Sequence, residues 1–274
     1  MSDQAPIENA IAAPNLAKIK LSNPIRSTLS IILFLFWILL MFPVLFLYKF
    51  FNNKNINDFY LLFHKGACRI FALRCHIKGQ VSTHRPTLFL SNHISYLDVI
   101  VLGSCTPAYF IAKSEVANWP LFGLLAKLQN TLFFERKGNQ VRAQLDLMST
   151  QFDKKNNLIL FAEGTSTEGE HVEPFKSSLL QSVESAKEEV LIQPVTVSYT
   201  HYKNKPMDRS TRDHFAWYDT MPFGAHFFGA AGMSRADVSV IYHQPVKLSD
   251  FETRKDCAQY CCSQVRQGLE RSIS

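Results

Sequence analysis

The chain has 274 residues, room for one large domain with an appendage. Hydrophobic residues make up 47%, charged residues only 19%, Phe occurs 22 times and the formal net charge is +6. That balance suits an anionic surface, and without a helix-turn-helix, zinc-finger or RNA-binding aromatic pattern it excludes nucleic acid and leaves a membrane lipid bilayer as the expected partner.

Residues 1–26 read as a flexible lead-in. From Ser27 to Tyr48 there is no charged residue. Those 22 residues would reach ~33 Å as a helix, enough for a bilayer core. Lys18, Lys20 and Arg26 flank one end and Lys49 and Lys54 the other, so charge does not set the orientation. Residues 27–51 are therefore a transmembrane or re-entrant anchor, with Pro43 a potential kink. The segment 52–74 follows as an amphipathic interfacial helix. Phe59, Leu62, Phe63, Gly66, Ala67, Ile70 and Leu73 recur at helical spacing, with Lys65 and Arg69 off the stripe. An ordinary packing helix fits the same pattern.

Residues 75–274 alternate short apolar runs with helical patterns. The predicted strands are CHIKGQV, TLFLSN, AYFIAK, NTLFFE, NLILFAE, LIQPVTVSY and DVSVIYH. Val141, Leu145, Met148 and Phe152 mark one helix, with Asn139 placed to cap it. A last helix is expected from Arg254 to Gln267, with Gly268 as its stop. The alternation predicts an α/β domain with a mixed, largely parallel sheet flanked by helices. The aromatic stretch from His214 to Met233 would cap the core, wall an acyl-chain channel or dip into an interface. The six cysteines form no C-x-x-C pair and no metal-ligand cluster is present, so reduced, packed thiols and no metal are expected.

In open α/β sheets reactive groups gather beyond the carboxyl ends of strands. His93 follows TLFLSN, Arg136 follows NTLFFE, and Glu163, Gly164 and Thr165 follow NLILFA. Each alone is weak, but the set is specific. Asn92, His93 and Asp98 spell N-H-x-x-x-x-D; Phe133 and Arg136 sit in NTLFFER; Phe161, Glu163, Gly164 and Thr165 sit in FAEGTS; Pro194 sits in LIQPVTV. In this order and spacing the chain resembles the glycerolipid acyltransferase family from about residue 85 to 200. Three positions depart from the family's pattern: Asn130 for Gly, Ala162 for Pro and Ser166 for Arg.

The resemblance implies acyl transfer from acyl-CoA or acyl carrier protein, as substrate rather than cofactor, to the hydroxyl of a lysolipid acceptor. A neutral imidazole can take that proton near neutral pH. His93 would be the base, with Asp98 holding its tautomer. The resemblance assigns acceptor binding to Asn92, Phe133, Arg136, Glu163, Gly164, Thr165, Ser166 and Pro194, and Lys176 in PFKSSLL is a second cation near that site. It places 1-acylglycerol-3-phosphate first as acceptor, in phospholipid biosynthesis. FAEGTSTEG is also similar to the lyso-ornithine lipid acyltransferase branch, whose acceptor carries no phosphate. The catalytic domain is expected at the membrane on the cytoplasmic side, the inner membrane if bacterial. A lipid esterase is a further alternative, weakened because Glu168 stands where GTSTEG would need its second Gly for G-x-S-x-G. A non-catalytic lipid-binding scaffold is the other class, which intact His93 and Asp98 disfavour.

Overall fold

The computed structural model describes residues 22–51, 56–135 and 141–274. The lead-in through residue 21, Arg136 and Asn139 lie outside the described residues. In chain order the elements are α1 (Pro24–Phe50), α2 (Ile56–Ile70), β1 (Leu73–Lys78), β2 (Thr87–Ser91), α3 (Leu97–Gly103), β3 (Tyr109–Lys113), α4 (Phe122–Leu128), β4 (Leu132–Phe134), α5 (Val141–Asp153) and β5 (Leu158–Phe161). They continue with α6 (Gln181–Ser185), β6 (Leu191–Tyr202), β7 (Lys205–Pro206), α7 (Arg209–Arg212), α8 (Phe223–Ala231), β8 (Ala236–Tyr242), β9 (Val246–Lys247) and α9 (Arg254–Ile273).

The sheet runs β1-β8-β6-β2-β5-β3-β4, with β7 and β9 on β6. β2 pairs in parallel with β5 and β6, β3 with β4 and β5, and β1 with β8; β6 is antiparallel to β8, β7 and β9. The sheet is thus mixed and largely parallel, with helices on both faces. β2 is buried at all five positions, which is why TLFLS reads as an uninterrupted apolar run. One core layer joins Phe34, Phe63, Ile94, Val101, Tyr199 and Val238 on the α1, α2 and α3 side. The other joins Met148, Phe152, Ile192, Cys261, Val265 and Leu269 under α5 and α9. All six cysteines are free thiols, and Cys68, Cys257, Cys261 and Cys262 are buried.

α1 begins where Asn23 Oδ1 accepts from the backbone N–H groups of Ile25 and Arg26, with Pro24 in the first turn. Pro43 lies inside the helix rather than ending it. Only a narrow face is buried, at Ser27, Ser30, Phe34, Met41 and Leu45; Leu29, Leu33, Phe36, Leu40 and Phe46 are exposed. The helix is long and apolar enough to cross a membrane.

Of the two readings of the α2 stripe, the burial fits a packing helix: Phe59, Phe63, Gly66 and Ala67 are buried in the protein, where α2 contacts α1 and α3. Leu62 is exposed instead, while Tyr60 and His64 take buried positions. Gly66 is required by the close approach of Trp37, whose ring atoms lie 2.3 Å from where a Cβ would stand.

α9 starts on Thr253, whose hydroxyl accepts from the Asp256 N–H, and it runs through Gly268 rather than stopping there. A Cβ at Gly268 would sit 2.4 Å from Thr196 Oγ1. This glycine serves close helix-sheet packing, a use that looks like a stop signal in sequence.

Candidate active site

The candidate catalytic loop is built from the carboxyl end of β2. Asn92 is fully buried; its Nδ2 donates to the Val197 carbonyl at 2.9 Å, and its Oδ1 accepts from the Val197 N–H at 2.8 Å. Both ends of the amide bond to β6, so Asn92 locks the loop to the sheet. His93 follows, half-buried, with Nδ1 donating to Asp98 Oδ2 at 2.9 Å. Asp98 lies in the first turn of α3 and is fully buried. Its Oδ2 also accepts from the N–H groups of Ile94 (2.7 Å) and Ser95 (2.9 Å), and its Oδ1 accepts from the Tyr199 hydroxyl (3.0 Å). Four donors around one carboxylate offset its loss of water. Burial and the Asp98 charge raise the Tyr199 phenol well above its ordinary value, so it remains a donor.

The bond at Nδ1 fixes the tautomer, leaving Nε2 as the basic nitrogen. Among the described residues Nε2 has no hydrogen-bond partner. The imidazole lies flat on Phe161, with ring centroids 4.0 Å apart and planes at 21°. Phe110 stacks behind Phe161 at 6.3 Å.

The second loop follows β5. Glu163 is buried; its Oε1 accepts from the His93 N–H at 2.6 Å and its Oε2 from the Glu173 N–H at 2.7 Å. Burial pushes its carboxyl up to about 7, against these two N–H groups, which favour the charged form. The Thr167 N–H donates to the His93 carbonyl at 2.9 Å, so the two loops are stitched on both sides of the histidine. Gly164 has φ +71, and a Cβ there would meet Lys176 Nζ at 2.6 Å. Glycine serves both the backbone and the Lys176 side chain, which lies across the turn. Thr165 is exposed and Ser166 half-buried.

The structure thus brings together His93, Asp98, Asn92, Glu163, Gly164 and Lys176. Phe133 stands half-buried on β4, in register with Ala112, three strands from β2. Pro194 is buried in β6, in register with Leu90. Asn130, where the family pattern has Gly, has φ +58, a left-handed conformation that Asn tolerates, and its Nδ2 donates to Tyr60 Oη at 3.2 Å. The reading by motif missed Tyr199 as a partner of Asp98. Its one signal was a Tyr at the end of the predicted strand LIQPVTVSY, where a buried hydroxyl needs an acceptor. No group of three or more His, Cys, Asp or Glu that could hold a metal occurs among the described residues.

The sheet thus carries a hydrogen-bonded His–Asp pair just beyond the carboxyl end of β2. The sequence profile of the family described as Acyltransferase matches residues 72–198. A lyso-ornithine lipid O-acyltransferase from Rhodobacter capsulatus is 35% identical over 210 residues, 74% of each chain. A 1-acyl-sn-glycerol-3-phosphate acyltransferase from Neisseria gonorrhoeae is 27% identical over 141 residues, 50% of this chain and 55% of that one. The fold matches the crystal structure of the 1-acyl-sn-glycerophosphate (LPA) acyltransferase PlsC from Thermotoga maritima, with TM-score 0.63 at 20% identity, covering 90% of this chain and 96% of that one. The chain belongs to the acyltransferase family and is an acyltransferase.

Proposed function

We propose that the protein is a membrane-associated O-acyltransferase that moves an acyl group from acyl-CoA or acyl carrier protein to the hydroxyl of lyso-ornithine lipid. The observation that carries the chemistry is a histidine whose Nδ1–H is committed to Asp98 while Nε2 is open. His93 Nε2 takes the proton of the acceptor hydroxyl as its oxygen attacks the thioester carbonyl. Asp98 stabilises the imidazolium that forms. The tetrahedral intermediate collapses, the C–S bond breaks, and the imidazolium returns the proton to the departing thiolate. Phe161 holds the ring plane and excludes water from one face. No acyl-enzyme is required.

The acceptor reading rests on Ser166, which replaces a family arginine with a neutral hydroxyl, and on the name of the Rhodobacter relative, which matches over more of the chain than the gonococcal one. A phosphate monoester carries close to two negative charges and favours paired cations. An amino-acid head group asks for less. One observation favours 1-acylglycerol-3-phosphate as a second reading: Lys176 Nζ lies over the E-G-T turn and supplies a cation there. The deciding experiment incubates the full-length protein with both donors and both lysolipids and reads the products by lipid mass spectrometry. Preferred acylation of lyso-ornithine lipid is expected; exclusive acylation of the phosphate lipid would reverse the order.

We propose further that α1, expected as a transmembrane or re-entrant anchor, lies along one leaflet. Near its start α1 meets the end of α8, where the Asn23 N–H donates to the Gly232 carbonyl at 3.2 Å. Further along, Met41 and Leu45 share a groove with Leu125 and Leu128 of α4. From 23 to 45 a helix advances ~33 Å. A helix held by the catalytic domain over that length would carry the domain into the hydrocarbon if it crossed a ~30 Å core upright. Lying in the leaflet, it buries its exposed apolar face in lipid and leaves the domain on the cytoplasmic side, where both donors reside.

A further inference from the structure

A groove between the start of α1 and the end of α2 lies apart from the catalytic loops. It encloses about 720 Å³, with Ile25, Leu29, Leu33 and Ile70 as apolar walls and Arg26 and Arg69 as its two charges. Among the described residues no carboxylate lines it. Arg26 Nε donates to the Met233 carbonyl at 2.6 Å, which fixes the guanidinium in place and leaves its terminal N–H groups without partners among the described residues. The side chain of Arg69 is exposed and has no hydrogen bond or ion pair among the described residues. The apolar walls run on into the exposed face of α1, where Leu29 and Leu33 are each more than half exposed.

Two guanidinium forks beside one another match the oxygens of a phosphodiester. Apolar walls on the same groove match an alkyl chain and are of no use to a free anion. Arginines at the head of a long exposed apolar helix stand at the height of lipid head groups. We propose that this groove binds one anionic phospholipid as a held, non-substrate ligand, its phosphate between Arg26 and Arg69 and a chain along Leu29 and Leu33. Because Arg26 also holds the carbonyl just after α8, the bound lipid ties the anchor helix to the catalytic domain.

The test uses the full chain in neutral maltoside micelles, titrated with dioctanoyl phosphatidylglycerol, dioctanoyl phosphatidylcholine or inorganic phosphate. Bound molecules are counted by native mass spectrometry. One phosphatidylglycerol per chain should bind saturably, with phosphatidylcholine weaker by about tenfold or more. Arg69→Gln should weaken phosphatidylglycerol by about tenfold, while Lys65→Gln, which removes the same charge from the same helix but outside the groove, should leave it unchanged. Arg69→Lys, which keeps the charge and loses the fork, should fall between and serves if Arg69→Gln unfolds at lower temperature than the parent. Equal losses from Lys65→Gln and Arg69→Gln would reduce the effect to diffuse charge and overturn the site. Equal binding of phosphatidylcholine would also overturn it. Displacement of the lipid by inorganic phosphate at matching concentration would mean a free-anion site and overturn the lipid assignment.

Discussion

The loop from His93 to Asp98 and the loop from Glu163 to Lys176 meet at one edge of the sheet, yet they spend their polar groups in opposite ways. In the first, Asn92 and Asp98 are wholly buried and consumed by named partners, and the histidine keeps one free nitrogen. In the second, Glu163 is consumed in the same manner, but Thr165 and Lys176 are exposed and Ser166 is half-buried. On the proposed mechanism the reaction needs one geometry whatever the acceptor, and a loop pinned from every side fits that need. The head group varies between acceptors, so the residues that would meet it are left at the surface, where substitution costs the fold little.

The largest expected effect tests the pinned loop. His93→Ala should retain the fold and lose ~10²–10⁴-fold in kcat. Asp98→Asn should fall in the same range, because an amide can hold the wrong imidazole tautomer. Near-normal turnover in either variant, with folding checked by circular dichroism, would remove the pair from the chemistry and erase the contrast between the loops.

Tyr199→Phe probes the support behind the pair. It removes the donor to Asp98 Oδ1 and leaves a buried carboxylate oxygen unpaired. A hydrogen bond to a charged group is worth about 1.5–3 kcal/mol. Denaturant unfolding should show a loss of that order, and kcat should fall by about tenfold with KM little changed. A changed KM with kcat intact would place Tyr199 in substrate binding instead.

Glu163 gives a pH test of the stitch between the loops. Its carboxyl is raised from 4.5 to about 7, so the folded state holds a proton that the unfolded chain has released. The stabilisation from this group is fully present below about pH 4.5 and is lost as pH rises to about 7, by about 3 kcal/mol in all. Glu163→Gln should remove that slope from the difference between melting curves at pH 5 and pH 7.5. A variant that keeps the wild-type slope would show that Glu163 is not its source.

The smallest effect sharpens the outward-facing loop. Ser166→Arg should raise kcat/KM for 1-acylglycerol-3-phosphate relative to lyso-ornithine lipid by about threefold to tenfold, measured by competition in one vesicle preparation. An unchanged ratio in an active variant would mean that position 166 does not read the head group.

From its sequence alone the chain determined what repeats locally. The apolar run of α1, the strand before His93 and the five-residue step to Asp98 are patterns within a few residues of each other, and burial periodicity makes them legible. The left-handed turn at Asn130 sits where the family pattern has Gly, which marked the position without explaining it. Tertiary structure alone decided the partners. Tyr199 reaches Asp98 across 101 residues, Asn92 reaches Val197 across 105, and Glu163 reaches the His93 backbone across 70. Periodicity reports which face of an element is buried, not what it meets there. It could not separate a Gly268 that ends a helix from one that lets α9 press on Thr196, nor an α2 stripe facing lipid from one facing α1 and α3. Those outcomes depend on which surfaces the sheet order brings into contact, and that order is a property of the whole chain.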